Sequence, residues 1–290
     1  MIRYFRSMVA AVSLVGATAV AAAQEKPADK SGYDLFDPTP RELMREMSTD
    51  RPDKTESPYT VDAGHVQIEA DVVTYSYDRH NPERADVRVQ TVGVGVTNWK
   101  LGLLNNVDFQ LVTESFVWQR VEDFDAGETG EQSGYGDTVL RTKWNLWGND
   151  GGKTAFALMP YLKLPTNEGS LGNNEYEGGL ICPLAIDLGN EWSLGLMAQF
   201  DVVRDADDDG YDLELVQTVT VSRPIAADLG GYVEFFAAVN PKESSDWVGT
   251  VDLGLTFALT EDIQLDCGVN IGVTRAADDF NPFVGLSVRF

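Results

Sequence analysis

The residues best suited to chemistry by type and spacing are the acids Asp205, Asp207 and Asp209, which lead into Gly210. Carboxylates at alternate positions before a glycine resemble the start of a calcium-binding loop, because a hard cation takes several oxygen ligands around a sharp turn. A complete loop of that kind needs a glutamate at its twelfth position, where this chain has Val216. Two interpretations remain, a candidate cation-binding loop and a solvated hairpin tip, and the missing ligand favours the hairpin tip.

Catalytic motifs are absent from the rest of the sequence. His65 and His80 are the only histidines, and the chain has no G-x-S-x-G, H-E-x-x-H, C-x-x-C or P-loop pattern. A histidine-dependent hydrolase would need a nucleophile and an orienting group around one of them. The sequence therefore predicts a protein that is not an enzyme and that uses no cofactor and no metal.

The charge balance excludes further classes. The chain has 46 acidic and 22 basic residues, for a formal net charge of -24. A nucleic-acid-binding protein needs basic groups that displace counterions from phosphates. A peripheral protein held on anionic lipid needs a polybasic patch. Neither description fits this chain.

The elements that position these residues follow a period of two from His65 onward. In the first such stretch, polar residues at 65, 67, 69 and 71 alternate with Val66, Ile68, Ala70 and Val72. This alternation is typical of strands with one face in lipid and the other in a lumen. A soluble β-sandwich is the alternative, but short and long connections also alternate along the chain, as they do in outer-membrane barrels.

The sequence thus predicts an all-β, antiparallel transmembrane barrel of about twelve strands. Residues 1–23 read as a signal peptide, 24–64 as an irregular periplasmic extension and 65–290 as the barrel. The register near Gly93 and Gly95 stays open, because glycines inside a strand often mark a bulge. We place the strands near 65–76, 87–103, 107–120, 136–148, 153–166, 175–188, 192–204, 211–223, 230–240, 247–259, 263–274 and 280–290.

The inward face of the predicted barrel carries many charges, most of them acidic. One interpretation is a wet lumen that favours cations or neutral solutes over anions. The other is a closed interior in which opposite charges pair. The lumen-facing charged residues are predicted to be Glu69, Asp71, Asp108, Glu114, Asp137, Arg141, Lys143, Lys163, Glu177, Asp201, Glu234, Asp252, Asp266 and Arg289.

The final residue, Phe290, ends an alternating strand. A C-terminal aromatic residue of this kind is similar to the assembly signal of outer-membrane barrels. The predicted partners are therefore outer-membrane lipid, the β-barrel assembly machinery and a small-molecule solute, and not nucleic acid. The predicted location is the outer membrane of a Gram-negative-type cell, after export.

Four stretches resemble an outer-membrane family named for the MetA pathway of phenol degradation. They are STDRPD at 48–53, GHVQIE at 64–69, LGLLNNVDF at 101–109 and YLKLPT at 161–166. The resemblance covers roughly residues 48 to 290 and consists of strand and turn signatures without catalytic content. It implies a channel or transporter for small molecules, aromatic compounds among them. The alternative is a structural or surface-interaction barrel with a plugged lumen and acidic outer loops.

Overall fold

The computed structural model describes residues 29–79, 81–84, 86–169, 171–205, 210–241 and 247–290. These residues form short 3-10 turns at Arg41–Leu43 and Pro82–Arg84 and a set of long strands. Among them, no helix is long and apolar enough to cross a membrane. The strands are β1 (Val66–Asp78), β2 (Arg88–Leu104), β3 (Val107–Asp123), β4 (Glu128–Gly134), β5 (Thr138–Trp147), β6 (Thr154–Leu164), β7 (Glu177–Gly189), β8 (Trp192–Arg204), β9 (Tyr211–Pro224), β10 (Leu229–Val239), β11 (Val248–Thr260), β12 (Ile263–Gly272) and β13 (Phe280–Arg289).

Twelve of these strands form a closed antiparallel barrel, so the predicted fold class and strand number are confirmed. Each strand pairs with its neighbour, and β1 pairs with both β2 and β13 to close the ring. The described part of the chain has one further strand, β4, which pairs only with the outer part of β3. From the sequence, that segment is predicted to be part of a loop between two strands. It lies beyond the ring of strands, where no lipid imposes an alternating pattern.

The alternation of side chains gives the barrel its two faces. In β9, Asp212, Val216 and Thr218 are buried in the interior, whereas Leu213 and Val219 are exposed on the outer wall. Neighbouring strands keep the same register: Leu215 on the outer face pairs with Phe200 and Val239. The outer wall is therefore an apolar surface suited to hydrocarbon.

The two ends of the barrel differ in the length of their connections. Short turns, such as 105–106 and 261–262, lie at one end, and the longer connections, such as 165–176, lie at the other. Asp34 bridges to Leu104 at the short-turn end, and the backbone N–H of Phe290 donates to the Val66 carbonyl there (2.8 Å). Short turns face the periplasm in outer-membrane barrels. We therefore call the short-turn end the periplasmic end of the barrel, and Asp34 and Phe290 lie there.

This orientation predicts which connections a cell displays. A protease site or epitope inserted near Glu128, in the β3–β4 hairpin, should be accessible on intact cells, because the hairpin lies at the long-loop end. The same insertion at Asn105 should become accessible only after the outer membrane is permeabilised. The reverse pattern would invert the topology.

The two faces of β9 predict opposite responses to one substitution. Leu215→Arg on the outer face should cost about 2–4 kcal/mol of membrane stability. Glu214→Arg, one residue away on the inner face, should cost much less, because Glu214 lies near the carboxylates of Asp201 and Glu177. Urea titration of both variants in the same liposomes measures the difference. Equal losses would contradict the register of this strand.

Candidate functional site

Residues 48–61, which precede β1, lie inside the barrel, and we call them the lumenal loop. The loop contacts inward-facing side chains on opposite sides of the barrel, including Glu69 of β1, Lys143 of β5 and Thr218 of β9. Residues 24–64 are predicted from the sequence to be a periplasmic extension. In the structure, residues such as Asp34 and Arg41 lie beside the short turns, whereas the lumenal loop extends from there into the lumen.

Asp50 lies at the centre of the ionic contacts between loop and wall. Its two carboxylate oxygens are 2.5 Å from the Nζ atoms of Lys100 and Lys143, which are 2% and 0% exposed. Lys100 also pairs with Glu69 of β1, whose second carboxylate oxygen accepts the Asp50 backbone N–H at 2.9 Å. Buried charges persist only when they are paired and hydrogen-bonded. This cluster meets that condition by joining the loop to β1, β2 and β5.

Arg51 of the loop also pairs with opposite charges on the wall. Arg51 lies 2.7 Å from a carboxylate oxygen of Asp71 in β1 and 2.7 Å from one of Asp266 in β12. Its guanidinium is 5.6 Å from the ring centroid of Phe283, a cation–π distance. The positive charge of Arg51 therefore faces two negative charges of the wall.

Lys54 and Glu56 continue this pattern nearer the middle of the lumen. Lys54 lies 3.2 Å from Asp252, and its backbone N–H donates to Glu234 at 2.8 Å. Glu56 lies 2.6 Å from Arg141 of β5. The loop thus neutralises both acidic and basic groups of the lumen.

The base of the loop is closed on itself and held at the periplasmic mouth. The hydroxyl oxygens of Ser48 and Ser57 are 2.7 Å apart, so the chain leaves the lumen close to where it enters. Arg45 donates to the carbonyls of Thr60 (2.7 Å) and Asn105 (2.9 Å). These contacts make the loop a hairpin with both ends at one mouth.

Asp150, in the turn before β6, completes this anchor. It lies 2.5 Å from Lys30 and 3.2 Å from Arg45. Burial alone would raise the pKa of Asp150, but hydrogen bonds from Lys30 and Asn105 and the charge of Arg45 hold it below its usual range. The carboxylate therefore stays ionised near neutral pH, and its contribution to anchoring is lost only as the pH falls through that lowered pKa.

Glycines on the inner wall leave room for the segment before β1. A Cβ atom at Gly285 of β13 would lie 2.1 Å from the Arg51 guanidinium, and one at Gly102 of β2 would lie 2.0 Å from the Asp62 carbonyl oxygen. Glycine inside a strand often marks a close approach of another segment. The wall is therefore shaped to receive this segment.

An apolar patch interrupts the polar inner wall. It is formed by inward-facing side chains of β6 to β10 that are at most 6% exposed. The loop reaches this patch, because the backbone N–H of Glu56 lies 3.5 Å from the sulfur atom of Met197. Tyr161 and Phe236 pack against the patch. Small barrels usually fill their interior with side chains of their own strands. Here, strand side chains and the loop share that role. The patch consists of Met159, Ile181, Met197, Val216 and Ala238.

The outer half of the lumen carries a second set of charges, away from the loop. Lys163 of β6 lies 3.3 Å from Asp137 and 2.8 Å from Glu177. The Tyr161 hydroxyl donates to Asp201 at 2.5 Å. This region is acidic but internally hydrogen-bonded.

The residues predicted to face the lumen divide between these regions, and all of them are buried or half-buried. Asp108 accepts the Val61 backbone N–H at 3.0 Å, and Arg289 pairs with Asp262 at 2.8 Å near the periplasmic mouth. Those that contact the loop are Glu69, Asp71, Asp108, Arg141, Lys143, Glu234, Asp252 and Asp266, and those in the outer half are Glu114, Asp137, Lys163, Glu177 and Asp201.

Lys100 and the charged residues of the loop are not among the lumen-facing residues predicted from the sequence. Lys100 lies in β2, where Gly93 and Gly95 obscure the alternation. The loop has no period that would assign a face to its residues. Its signal is composition: both signs of charge in a short proline-containing stretch, DRPDKTE at 50–56.

The candidate cation-binding loop is only partly described by the structure. Asp205 is buried, and its backbone N–H donates to the Gly210 carbonyl (3.2 Å), as in a hairpin tip. Asp207 and Asp209 lie outside the described residues, as do His80 and the predicted signal peptide. Within the described ranges, no group of three acids, histidines or cysteines has the arrangement of a metal site.

Solved structures share the barrel architecture. An outer membrane channel from Pseudomonas putida F1 is 17% identical, with a TM-score of 0.56 over 84% of this chain and 100% of that chain. Two further structures are less similar. The NanC porin is 12% identical, with a TM-score of 0.48 over 77% of this chain and 98% of that chain. The P. putida toluene transporter TodX is 8% identical, with a TM-score of 0.42 over 78% of this chain and 87% of that chain. No curated protein sequence matches the chain. The first similarity shows that the chain has the fold of an outer-membrane barrel.

A family model described as "Putative MetA-pathway of phenol degradation" matches residues 49–290. The match spans the whole barrel and begins inside the lumenal loop, so it includes Asp50, Arg51, Lys54 and Glu56. The resemblance drawn from the sequence is thereby confirmed, and the chain belongs to this family of the MetA pathway of phenol degradation.

Proposed function

We propose that the protein is an outer-membrane channel for small molecules, in which the lumenal loop restricts the passage. The observation that carries this proposal is that the lumen is occupied by a polar loop and not only by side chains of the strands. The loop is held to the wall mainly by ion pairs and hydrogen bonds, including those of Asp50, Arg51 and Lys54. Water can replace such contacts when a polar segment moves, whereas an interior filled by the side chains of the strands themselves has no segment that could move.

The apolar patch supports small aromatic or apolar solutes as the class that passes. Met159, Ile181 and Met197 give the lumen an apolar wall beside Tyr161, and apolar walls with a few polar groups are typical of small-molecule sites. The family description names phenol degradation, and the P. putida F1 structure is described as an outer membrane channel. Both descriptions agree with this proposal.

A closed structural barrel is the second candidate. It is favoured by the same ion pairs, because the Asp50 cluster is buried and each of its charged groups has an opposite partner. In that case the lumen would conduct nothing, and the acidic outer loops would carry the function.

Flux through purified protein in liposomes distinguishes the two candidates. Phenol crosses lipid unaided, so the probes are solutes that do not: benzyltrimethylammonium, benzenesulfonate and arabinose. The channel proposal expects flux of the aromatic cation and of the neutral sugar above that of protein-free liposomes, and little flux of the aromatic anion, because inward carboxylates repel it. Absence of all three fluxes from folded protein would support the closed barrel.

A further inference from the structure

The outer wall has an apolar groove at its periplasmic end that is separate from the lumen. The groove has a volume of about 560 Å³ and is lined mainly by apolar side chains of β9 to β12, among them Val221, Val233 and Leu255. That volume lies within the range of 300–1,000 Å³ typical of small-molecule sites. Gly231 keeps the groove open, because a Cβ atom there would lie 2.7 Å from the end of the Ile225 side chain.

Among the described residues that line this groove, Arg223 is the one cation. Arg223 is exposed at the periplasmic end of β9, and its guanidinium lies 4.8 Å from the ring centroid of Trp192. Its one hydrogen bond in the structure is to the Pro224 carbonyl (3.1 Å). In the described part of the chain, no carboxylate lies within ion-pair distance of it. In a protein with net charge -24, an arginine that faces outward without an acidic partner is suited to an anion from outside the chain.

We propose that this groove binds one glycerophospholipid of the periplasmic leaflet. The phosphate would lie on the guanidinium of Arg223, and an acyl chain would lie along the groove over Gly231. Arginine presents a planar set of donors that matches phosphate oxygens, and tryptophan favours the membrane–water interface. The short turns assign this end of the barrel to the periplasmic leaflet, which consists of phospholipid.

The test is mass spectrometry of full-length protein extracted from outer membranes in a mild detergent. The native protein should retain phospholipid at about one molecule per chain. Arg223→Glu removes the phosphate contact, and Gly231→Leu fills the groove. Each variant should therefore retain at least tenfold less phospholipid per chain than the native protein. Lys153→Glu makes the same charge change at another exposed periplasmic turn and should retain lipid as the native protein does.

Delipidated protein titrated with phosphatidylglycerol provides a second measurement, in which both groove variants should bind at least tenfold more weakly than the Lys153 variant. Heat-dependent gel mobility shows that each barrel is folded. Equal lipid retention by all the proteins, or no phospholipid on the native protein, would overturn the proposal. Lipopolysaccharide in its place would also do so, because that lipid belongs to the opposite leaflet.

Discussion

Removal of the lumenal loop should raise the single-channel conductance several-fold. In this variant, residues 49–60 are replaced by a short glycine–serine linker between Ser48 and Val61. The replaced residues contact the wall on opposite sides of the lumen, so their loss clears its centre. The linker is feasible because Arg45, three residues before Ser48, contacts the carbonyl of Thr60, the residue before Val61, at the periplasmic mouth.

The same deletion should make the pore cation-selective. Loop removal exposes wall acids and wall bases together, but the acids are in excess, so the cleared lumen is net negative. The acids that contact the loop are Glu69, Asp71, Asp108, Glu234, Asp252 and Asp266, and the bases are Lys100, Arg141 and Lys143. A confined pore with fixed negative charge concentrates cations and repels anions. The selectivity should weaken with salt, because the Debye length falls from about 10 Å at 0.1 M to about 3 Å at 1 M.

Planar-bilayer recording in a salt gradient gives both quantities, the conductance and the reversal potential. A matched control removes residues 124–132 from the β3–β4 hairpin, which lies outside the ring of strands, and should leave both quantities unchanged. Equal conductance of the native and loop-deleted proteins would mean that the loop does not restrict passage.

Asp50→Asn should release the loop without removing it. The substitution leaves Lys100 and Lys143 buried with one carboxylate fewer, and breaking a buried ion pair by removal of one partner costs about 3–5 kcal/mol. This cost lowers the free energy of docking of the loop and not the stability of the barrel, because the strands keep their own backbone pairing. We therefore expect the rate of amide exchange across 48–61 to rise about a hundredfold or more. This factor corresponds to the lower limit of the cost, about 3 kcal/mol.

Hydrogen–deuterium exchange followed by mass spectrometry measures this release. The amides of Asp50, Lys54 and Val61 donate to wall carboxylates, so their protection reports docking. Lys143→Met in the Asp50→Asn background should restore part of the protection, because it removes the buried cation that has lost its partner. The coupling free energy between the two substitutions should be about 0.5–3 kcal/mol. Asp125→Asn, in the exposed outer hairpin, is the control for loss of one carboxylate. Unchanged exchange in Asp50→Asn would show that the central ion pairs do not hold the loop.

The barrel could be predicted because lipid on one side and a lumen on the other impose a period of two on each strand. Leu213, Leu215 and Val219 face outward in β9 as that period requires. The lumenal loop could not be placed in this way, since its partners are set by charge and not by spacing. Arg51 and Asp266 are 215 residues apart in the chain, and no local pattern links them.

The hairpin shape of the loop has a consequence for assembly. A segment that entered the barrel at one mouth and left at the other would have to be enclosed when β1 meets β13, or be threaded through afterwards. The Ser48–Ser57 contact, together with the contacts of Arg45 with Thr60 and Asn105, keeps both ends of this loop at the periplasmic mouth. It can therefore enter a ring that has already closed, and leave it again, without separation of any pair of strands.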